Sequence, residues 1–395
     1  MTSPAPPDQP IRGYIEGYYG RLLGWRDRER IISRLASLGM NAYLYAPKED
    51  PFHRVNWRDP WPDDWIRSFA GICAHAAANG VMVFAGIAPG LDYNPRRHDE
   101  EFDLLLAKAR SLRSAGAKAI VLMFDDIEAP SSTLDDALAD EIALHAGITA
   151  RLADHIAIPT MLVPRIYADE ISDAATESYG ALTAALPADM AVFHCGSHIV
   201  AGPDPLAPGS TSAAKIFSQR LILWDNVYCN DYCPRRLFVG THTGRRTDSD
   251  LMLNGTGMVE TDILLLGLMA AGDSRDKSWE VLGKAGVPDA FRAVMPWFDK
   301  PVMADRIPPP PSPPDADILA AIDMLLWRWK TPLAREWYPF LFGLKHDLLI
   351  AAGDLPELRT AKTQTAALHG YLTGHPGQHP TRSRAVHGDH RDDEV

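Results

Sequence analysis

Apolar positions along this chain fall into two spacings that take turns. Ile11 to Gly17 reads as a strand running into Tyr18, Tyr19 and Gly20. Arg26 to Leu38 then sets Ile31, Ile32, Leu35 and Leu38 on one helical face, with Gly39 as a stop. The unit repeats as a strand over Asn41 to Tyr45, a helix over Asp63 to Ala78, a strand over Val81 to Ile87, and a helix over Phe102 to Ala115 closed by Gly116. The next strand opens the stretch Ala119 to Glu128, Ala-Ile-Val-Leu-Met-Phe-Asp-Asp-Ile-Glu, a continuous apolar run that ends on two neighbouring carboxylates. A run so short and so apolar suits a strand buried on both faces, in a parallel sheet wrapped by helices. Downstream, Leu138 to His155 is helical; Thr160 to Val163, Met190 to His194, Leu221 to Trp224 and Leu251 to Leu253 are strand-like; Asp262 to Ala271 reads as the last barrel helix.

Eight strands alternating with helices predict an α/β fold, a (β/α)8 TIM barrel, over residues 11–275 behind a flexible N-terminus of residues 1–10. The helices between strands five and eight are weakly marked. Residues 276–314 read as a connecting segment, in which Pro308 to Pro311, Pro313 and Pro314 favour an extended linker. Residues 315–373 resume a helical pattern through Leu319, Ile322, Leu325 and Leu326, then Trp337, Phe340 and Leu341. Trp327, Trp337 and Phe340 would leave a large exposed patch unless this unit packs on the barrel or on a second copy of the chain, so a homodimer stays open. Residues 374–395 carry almost no large apolar side chain and are expected to be a disordered tail, its His residues solvated rather than metal-bound.

Composition narrows the class. A chain of 395 residues with 46% hydrophobic content can bury one large core and still leave room for an appendage. A net charge of −12 without a long Lys or Arg block argues against nucleic acid as a partner. Cys73, Cys195, Cys229 and Cys233 are too few and too scattered for a disulfide scaffold, and Cys229 with Cys233 lacks the second pair of a zinc site. The first ten residues hold no apolar leader core and no stretch is long enough to span a bilayer, which predicts a soluble, unexported, cytoplasmic chain with no membrane partner.

In a barrel of parallel strands, chemistry collects where the strands end, which puts Asp125 and Asp126 where a catalytic pair is expected. Alone, the doublet reads equally as a helix cap or turn. Two adjacent carboxyls repel when both ionise, which raises one pKa and leaves the other group charged, so one acid and one base side by side is a natural product. Other strand ends are polar too: Glu16-Gly17-Tyr18-Tyr19-Gly20, Tyr45-Ala46-Pro47-Lys48-Glu49-Asp50, Tyr167, Trp224-Asp225-Asn226 with Asn230-Asp231, and Asn254. Such a ring of hydrogen-bonding groups and aromatics suits a sugar with many hydroxyls.

Four motifs in order, Glu-Gly-Tyr-Tyr-Gly, Tyr-Leu-Tyr-Ala-Pro-Lys, Phe-Asp-Asp-Ile and Leu-Trp-Asp-Asn-x-x-x-Asn-Asp-Tyr, each sit at a predicted strand end. Over about Ile11 to Ala271 the chain resembles glycoside hydrolase family 84, the β-N-acetylglucosaminidases that include O-GlcNAcases. The resemblance implies removal of terminal β-linked N-acetylglucosamine from Ser or Thr of proteins or from related glycosides, with retention of configuration. The substrate's own 2-acetamido oxygen would be the nucleophile, an oxazoline the intermediate, and no metal or organic cofactor would be needed. Glycosaminoglycan or cell-wall fragments would be served by the same chemistry, and a non-catalytic binder of O-GlcNAc is the alternative from another class.

Carried over residue by residue, Asp125 would polarise the acetamido N–H, while Asp126 would protonate the leaving oxygen and later activate water. Tyr167 and Asn226 would hold the acetamido group and Trp224 would wall its pocket, unless that indole only packs the core. Gly17, through its backbone, and Lys48, Asp231 and Asn254 would bind the sugar hydroxyls, although Lys48 without its motif is a surface lysine. The family often has Phe at Tyr18 and Asp at Glu49. It commonly reads Trp-Thr-Gly where this chain has His194-Cys195-Gly196, so His194 either brings a titratable group to the aglycone side or is a hydrogen-bonded strand-end residue.

Overall fold

The computed structural model describes residues 9–299 and 315–353, apart from positions 129, 201, 204, 208 and 247. Eight strands, β1 Arg12–Glu16, β2 Ala42–Tyr45, β3 Met82–Ile87, β4 Ala119–Met123, β5 Thr160–Val163, β6 Ala191–His194, β7 Arg220–Asp225 and β8 Leu251–Asn254, close into one barrel. Every neighbouring pair is parallel, and β1 closes on β8. Helices α1 Trp25–Ser37, α2 Asp63–Ala78, α3 His98–Ser114, α4 Asp136–Ile156, α5 Ala175–Ala185 and the five-residue α6 Ser212–Ile216 follow β1 to β6 in turn. After β8 come α7 Val259–Ala271 and α8 Arg275–Lys284. The predicted TIM barrel is therefore the fold.

Strand alternation divides the apolar residues into two cores. On β4, Ala119, Val121 and Met123 fill the barrel interior with Ala42, Leu44, Phe84, Met161, Phe193, Ile222 and Met252. Ile120, Leu122 and Phe124 point outward into the layer beneath the helices. A side-chain period of two makes this division automatic, and it also decides which strand-end groups can face the top of the barrel.

The second half departs from strict alternation. Among the described residues no helix joins β7 to β8, and α6 is short, which is why that region is weakly marked in the sequence. The segment expected to be only a connection contains α8, whose Ser274 cap accepts from the Lys277 N–H at 3.3 Å. The Pro-rich linker, residues 354–373 of the helical unit, the tail and residues 1–8 lie outside the described residues.

Two further helices, α9 Ala316–Trp327 and α10 Pro332–Ala351, pack on the barrel layer. Their Ile322, Leu325, Trp337, Phe340, Leu341 and Leu344 join the same apolar cluster as the barrel helices, with the Trp337 ring 5.0 Å from that of Phe291. Trp327 does not belong to that covered face; it is 51% exposed.

Candidate active site

The C-terminal end of the barrel opens on a cavity of about 490 Å³ that Gly17, Lys48, Asp125, Asp126, Tyr167, Trp224, Asn226, Asp231 and Asn254 all border. Alternation explains most of this set. Gly17 continues the inward positions of β1, Asp125 those of β4, Asn226 those of β7 and Asn254 those of β8, so each sits one step above the filled interior.

Asp126 is the exception, because a regular strand would turn it away from Asp125. Its φ of 50° places it in the left-handed region, which Asp tolerates better than most residues, and the chain there bends so that both carboxylates border the cavity. Asp125 is 7% exposed; its Oδ2 pairs with the buried ammonium of Lys48, and its Oδ1 has no hydrogen-bond partner. Lys48 is thus a buried ion-pair residue rather than a surface lysine, and its Nζ also lies 3.9 Å from Asp126 Oδ2.

Asp126 is held by donors from three loops. Tyr167 Oη donates to Oδ1 at 2.7 Å and Tyr19 Oη to Oδ2 at 3.0 Å. One Arg54 Nη donates to the Asp126 carbonyl and the other to Tyr19 Oη. Burial pushes the Asp126 carboxyl up, but Lys48, the two phenols and Arg54 outweigh it and the net direction is down. Repulsion within the doublet does not raise this member, because cations and donors surround it. Burial first, and the nearby Asp126 charge second, push both phenols up, so they stay neutral donors.

The opposite wall is an amide network. Asn226 Oδ1 accepts from Trp224 Nε1 at 3.0 Å and from Asn254 Nδ2 at 2.9 Å, while its Nδ2 donates to the Ile199 carbonyl at 2.9 Å. The nearest acceptor for the remaining Nδ2–H is the weak sulfur of Cys195, 3.5 Å away, so that donor is available to a ligand. Asn254 Oδ1 accepts from Gly17 N at 3.2 Å, tying β1 to β8. Trp224 both packs in the interior core and borders the cavity. Asp231 accepts from the backbone N–H of Tyr19 at 3.1 Å and of Tyr232 at 2.7 Å.

Several polar residues at the strand ends face outward. Glu16 forms a buried pair with Arg28 of α1 at 2.8 Å and accepts from Tyr43 Oη at 2.5 Å; Asp50 accepts from Tyr45 Oη at 2.6 Å. Asp225 is clasped by Arg245 and His242 at 2.9 Å, and Asn230 donates to the Arg236 carbonyl at 2.7 Å. These groups brace the scaffold and not the cavity. His194 borders the cavity, but its Nδ1 accepts from Gly196 N at 2.9 Å, which leaves the Nε2 proton for Tyr179 Oη of α5 at 2.8 Å. Burial pushes its pKa down to about 3, so it is a neutral, hydrogen-bonded strand-end residue.

Tyr19, Arg54, Cys195, Cys229, Glu170, Ile199, Val200 and Tyr232 complete the surroundings without having been singled out as site residues. Parity along β6, where Phe193 is an interior residue, was enough to point Cys195 inward and His194 outward. Nothing in the spacing relates Arg54, on the loop after β2, to Asp126.

A family model described as beta-N-acetylglucosaminidase matches residues 12–260, more than half of the chain. Protein O-GlcNAcases of Rattus norvegicus and Mus musculus are each 28% identical over 253 residues, covering 62% of this chain but 27% of their own length, so the chain spans about a quarter of these relatives. A mutant of the Thermobaculum terrenum O-GlcNAc hydrolase superposes with a TM-score of 0.70 over 90% of this chain and 88% of that one, at 19% identity, a likeness of fold. With its motifs at the strand ends of a closed (β/α)8 barrel and a family match across them, the chain belongs to the β-N-acetylglucosaminidases of glycoside hydrolase family 84.

Proposed function

We propose that this protein is a retaining β-N-acetylglucosaminidase that uses the substrate's acetamido group as nucleophile and acts on N-acetylglucosamine linked to Ser or Thr of proteins or to similar neutral aglycones. The observation that carries the reading is Asp125, a buried carboxylate with one oxygen on Lys48 and the other without a partner beside the cavity. A buried acceptor left bare costs about 1–3 kcal/mol, which an N–H of the bound acetamido group would relieve. Both carboxylates come from one strand end. That suits acid and orienting roles on one side of the sugar better than a nucleophile and an acid placed on opposite faces.

In the first step the acetamido oxygen bonds to the anomeric carbon, the glycosidic bond breaks, and the leaving oxygen takes the proton of Asp126. Asp125 offsets the positive charge that grows on the acetamido nitrogen, and Tyr167, Asn226 and Trp224 hold that group. Water then attacks the anomeric carbon, Asp126 takes its proton, the oxazoline opens, and the sugar leaves with its configuration retained. Gly17, Lys48, Asp231 and Asn254 would hold the hydroxyls.

The cavity border favours a neutral ligand. It contains Asp125, Asp126, Glu170 and Asp231 against one ammonium, Lys48, already paired with Asp125. A glucuronate-bearing chain would meet like charge there, whereas a glycopeptide would meet Tyr19, Ile199, Val200 and Tyr232. The test measures rates on O-GlcNAc peptides, chitin and hyaluronan oligosaccharides, and an aryl N-acetylglucosaminide with either acetyl or trifluoroacetyl on nitrogen. The peptide should be cleaved faster than hyaluronan, and the fluorinated glycoside far more slowly than its parent. Equal rates for the two aryl substrates would overturn the internal nucleophile, and no release from any of them would overturn the enzymatic reading.

A further inference from the structure

The two oxygens of Asp126 are both occupied in the free site, one by Tyr167 and one by Tyr19. An acid that must deliver a proton to a leaving oxygen has to free one of them. The two donors differ in how they are held. Tyr167 approaches from the end of β5 and packs against the interior core. Tyr19 is 42% exposed at the mouth, where an incoming sugar and its aglycone arrive first.

The Tyr19 hydroxyl is a relay. It accepts from Arg54 and donates to Asp126 Oδ2, while the second Arg54 Nη holds the Asp126 carbonyl, so one guanidinium grips the residue at its backbone and, through the phenol, at its carboxylate. The loop that carries Tyr19 is pinned on either side, by Asp231 on its N–H at 3.1 Å and by Glu49 on the Gly20 N–H at 2.7 Å. That leaves the side chain as the movable part. Lys48 cannot take over, being paired with Asp125 and 3.9 Å from Oδ2.

We infer that Arg54 and Tyr19 are a positioning pair that keeps Asp126 as a carboxylate in the empty site and releases its Oδ2 when a glycoside enters, so that Oδ2 takes up a proton from solvent water and passes it to the leaving oxygen as the glycosidic bond breaks. The inference rests on Asp126 as the general acid of the proposed reaction. The titratable and charged groups facing Asp126 are Lys48 and Arg54 from the loop after β2, Tyr19 from that after β1, Tyr167 from that after β5, the Cys195 thiol from that after β6, and Asp125 beside it. Neither Arg54 nor Tyr19 needs to touch the reacting atoms for this role.

The experiment compares pH–rate profiles of the full chain with Tyr19→Phe, Arg54→Gln and Asp126→Asn. The alkaline limb of kcat/KM reports the acid in the free enzyme, and that of kcat reports it in the complex. Removing a donor or a cation that favours the carboxylate should move the kcat/KM limb to higher pH, on the order of one unit for Arg54→Gln and less for Tyr19→Phe. In Tyr19→Phe the kcat limb should stay where the wild type has it, because the glycoside has already displaced that hydroxyl. A merely structural role would lower the rate without moving either limb. Tyr19→Phe removes one hydroxyl from a partly exposed side chain at the mouth and keeps its ring, so it decides the matter even if Arg54→Gln fails to fold. The inference is overturned if Asp126→Asn loses the alkaline limb while Tyr19→Phe leaves the kcat/KM limb unmoved, or if Tyr19→Phe moves both limbs equally. If Asp126→Asn keeps the limb, it is the general-acid reading that fails.

Discussion

Two neighbouring aspartates with different partners should respond differently to their removal. Asp126 is surrounded by hydroxyl donors, whereas Asp125 has Lys48 on one oxygen and a bare second oxygen. Asp126→Ala should therefore be severe on alkyl or peptide glycosides, by about 10²- to 10⁴-fold, and milder on aryl glycosides whose phenol leaves unaided. Asp125→Ala should slow every substrate alike, because the positive charge that it offsets on the acetamido nitrogen develops as the ring closes and the glycosidic bond breaks, whichever group leaves. A plot of log rate against leaving-group pKa checks the contrast, and parallel slopes for the two variants would refute the division of roles. Gly17 allows a second test. A Cβ there would lie 2.5 Å from the Trp224 ring and 2.9 Å from Ile15 Cγ2. Gly17→Ala should push the indole off its 3.0 Å bond to Asn226 and lower kcat/KM by about tenfold or more, with a small change in melting temperature. An unchanged kcat/KM would mean that the indole position does not matter.

At the scale of elements, the strands were legible because each is a short apolar run bounded by turn residues, and their parity carries most of the site. Once Val121 and Met123 face inward, Asp125 must follow them, and once Phe193 does, His194 must turn outward. Asp126 was legible through the Phe-Asp-Asp-Ile motif and not through strand parity. That it shares the cavity depends on a left-handed φ that no pattern announces. Arg54, Arg245 and α8 stayed hidden for the same reason, since each acts through contacts between loops or layers that are distant in sequence. The capping of α7 is another such case. Its N-cap, Met258, supplies no side-chain acceptor, and the cap comes from Glu336 of α10, which accepts from the N–H groups of Glu260 at 3.0 Å and Thr261 at 2.8 Å. Glu336→Ala should destabilise the fold by about 1–2 kcal/mol, read as a lower denaturant midpoint, while kcat stays unchanged. If the midpoint does not move, α10 contributes packing alone.

For the whole molecule, the buried imidazoles set the response to acid. Burial pushes His53, His145 and His194 each down to about 3, with the Lys48 charge adding to the effect at His53 and that of Arg165 at His145. All three are neutral in the folded chain at pH 7 and would take protons once unfolded, where an imidazole titrates near about 6.5. A depressed imidazole contributes stability that is fully present above its unfolded pKa and is lost as pH falls toward its folded value, here from about 6.5 to about 3. Asp262 opposes this. Burial raises its carboxyl to about 6, so it gains stability as pH falls through that value, but it is one group against three. At pH 5 unfolding should therefore take up about two protons from these four groups, and the melting temperature should drop between pH 7 and pH 5. His145→Phe would keep a ring on Phe124, whose centroid lies 3.8 Å from that of His145, while removing one titrating group. Its melting temperature should fall less steeply over the same interval. A flat wild-type profile, or one as steep in His145→Phe as in the parent, would show that the acid response comes from elsewhere.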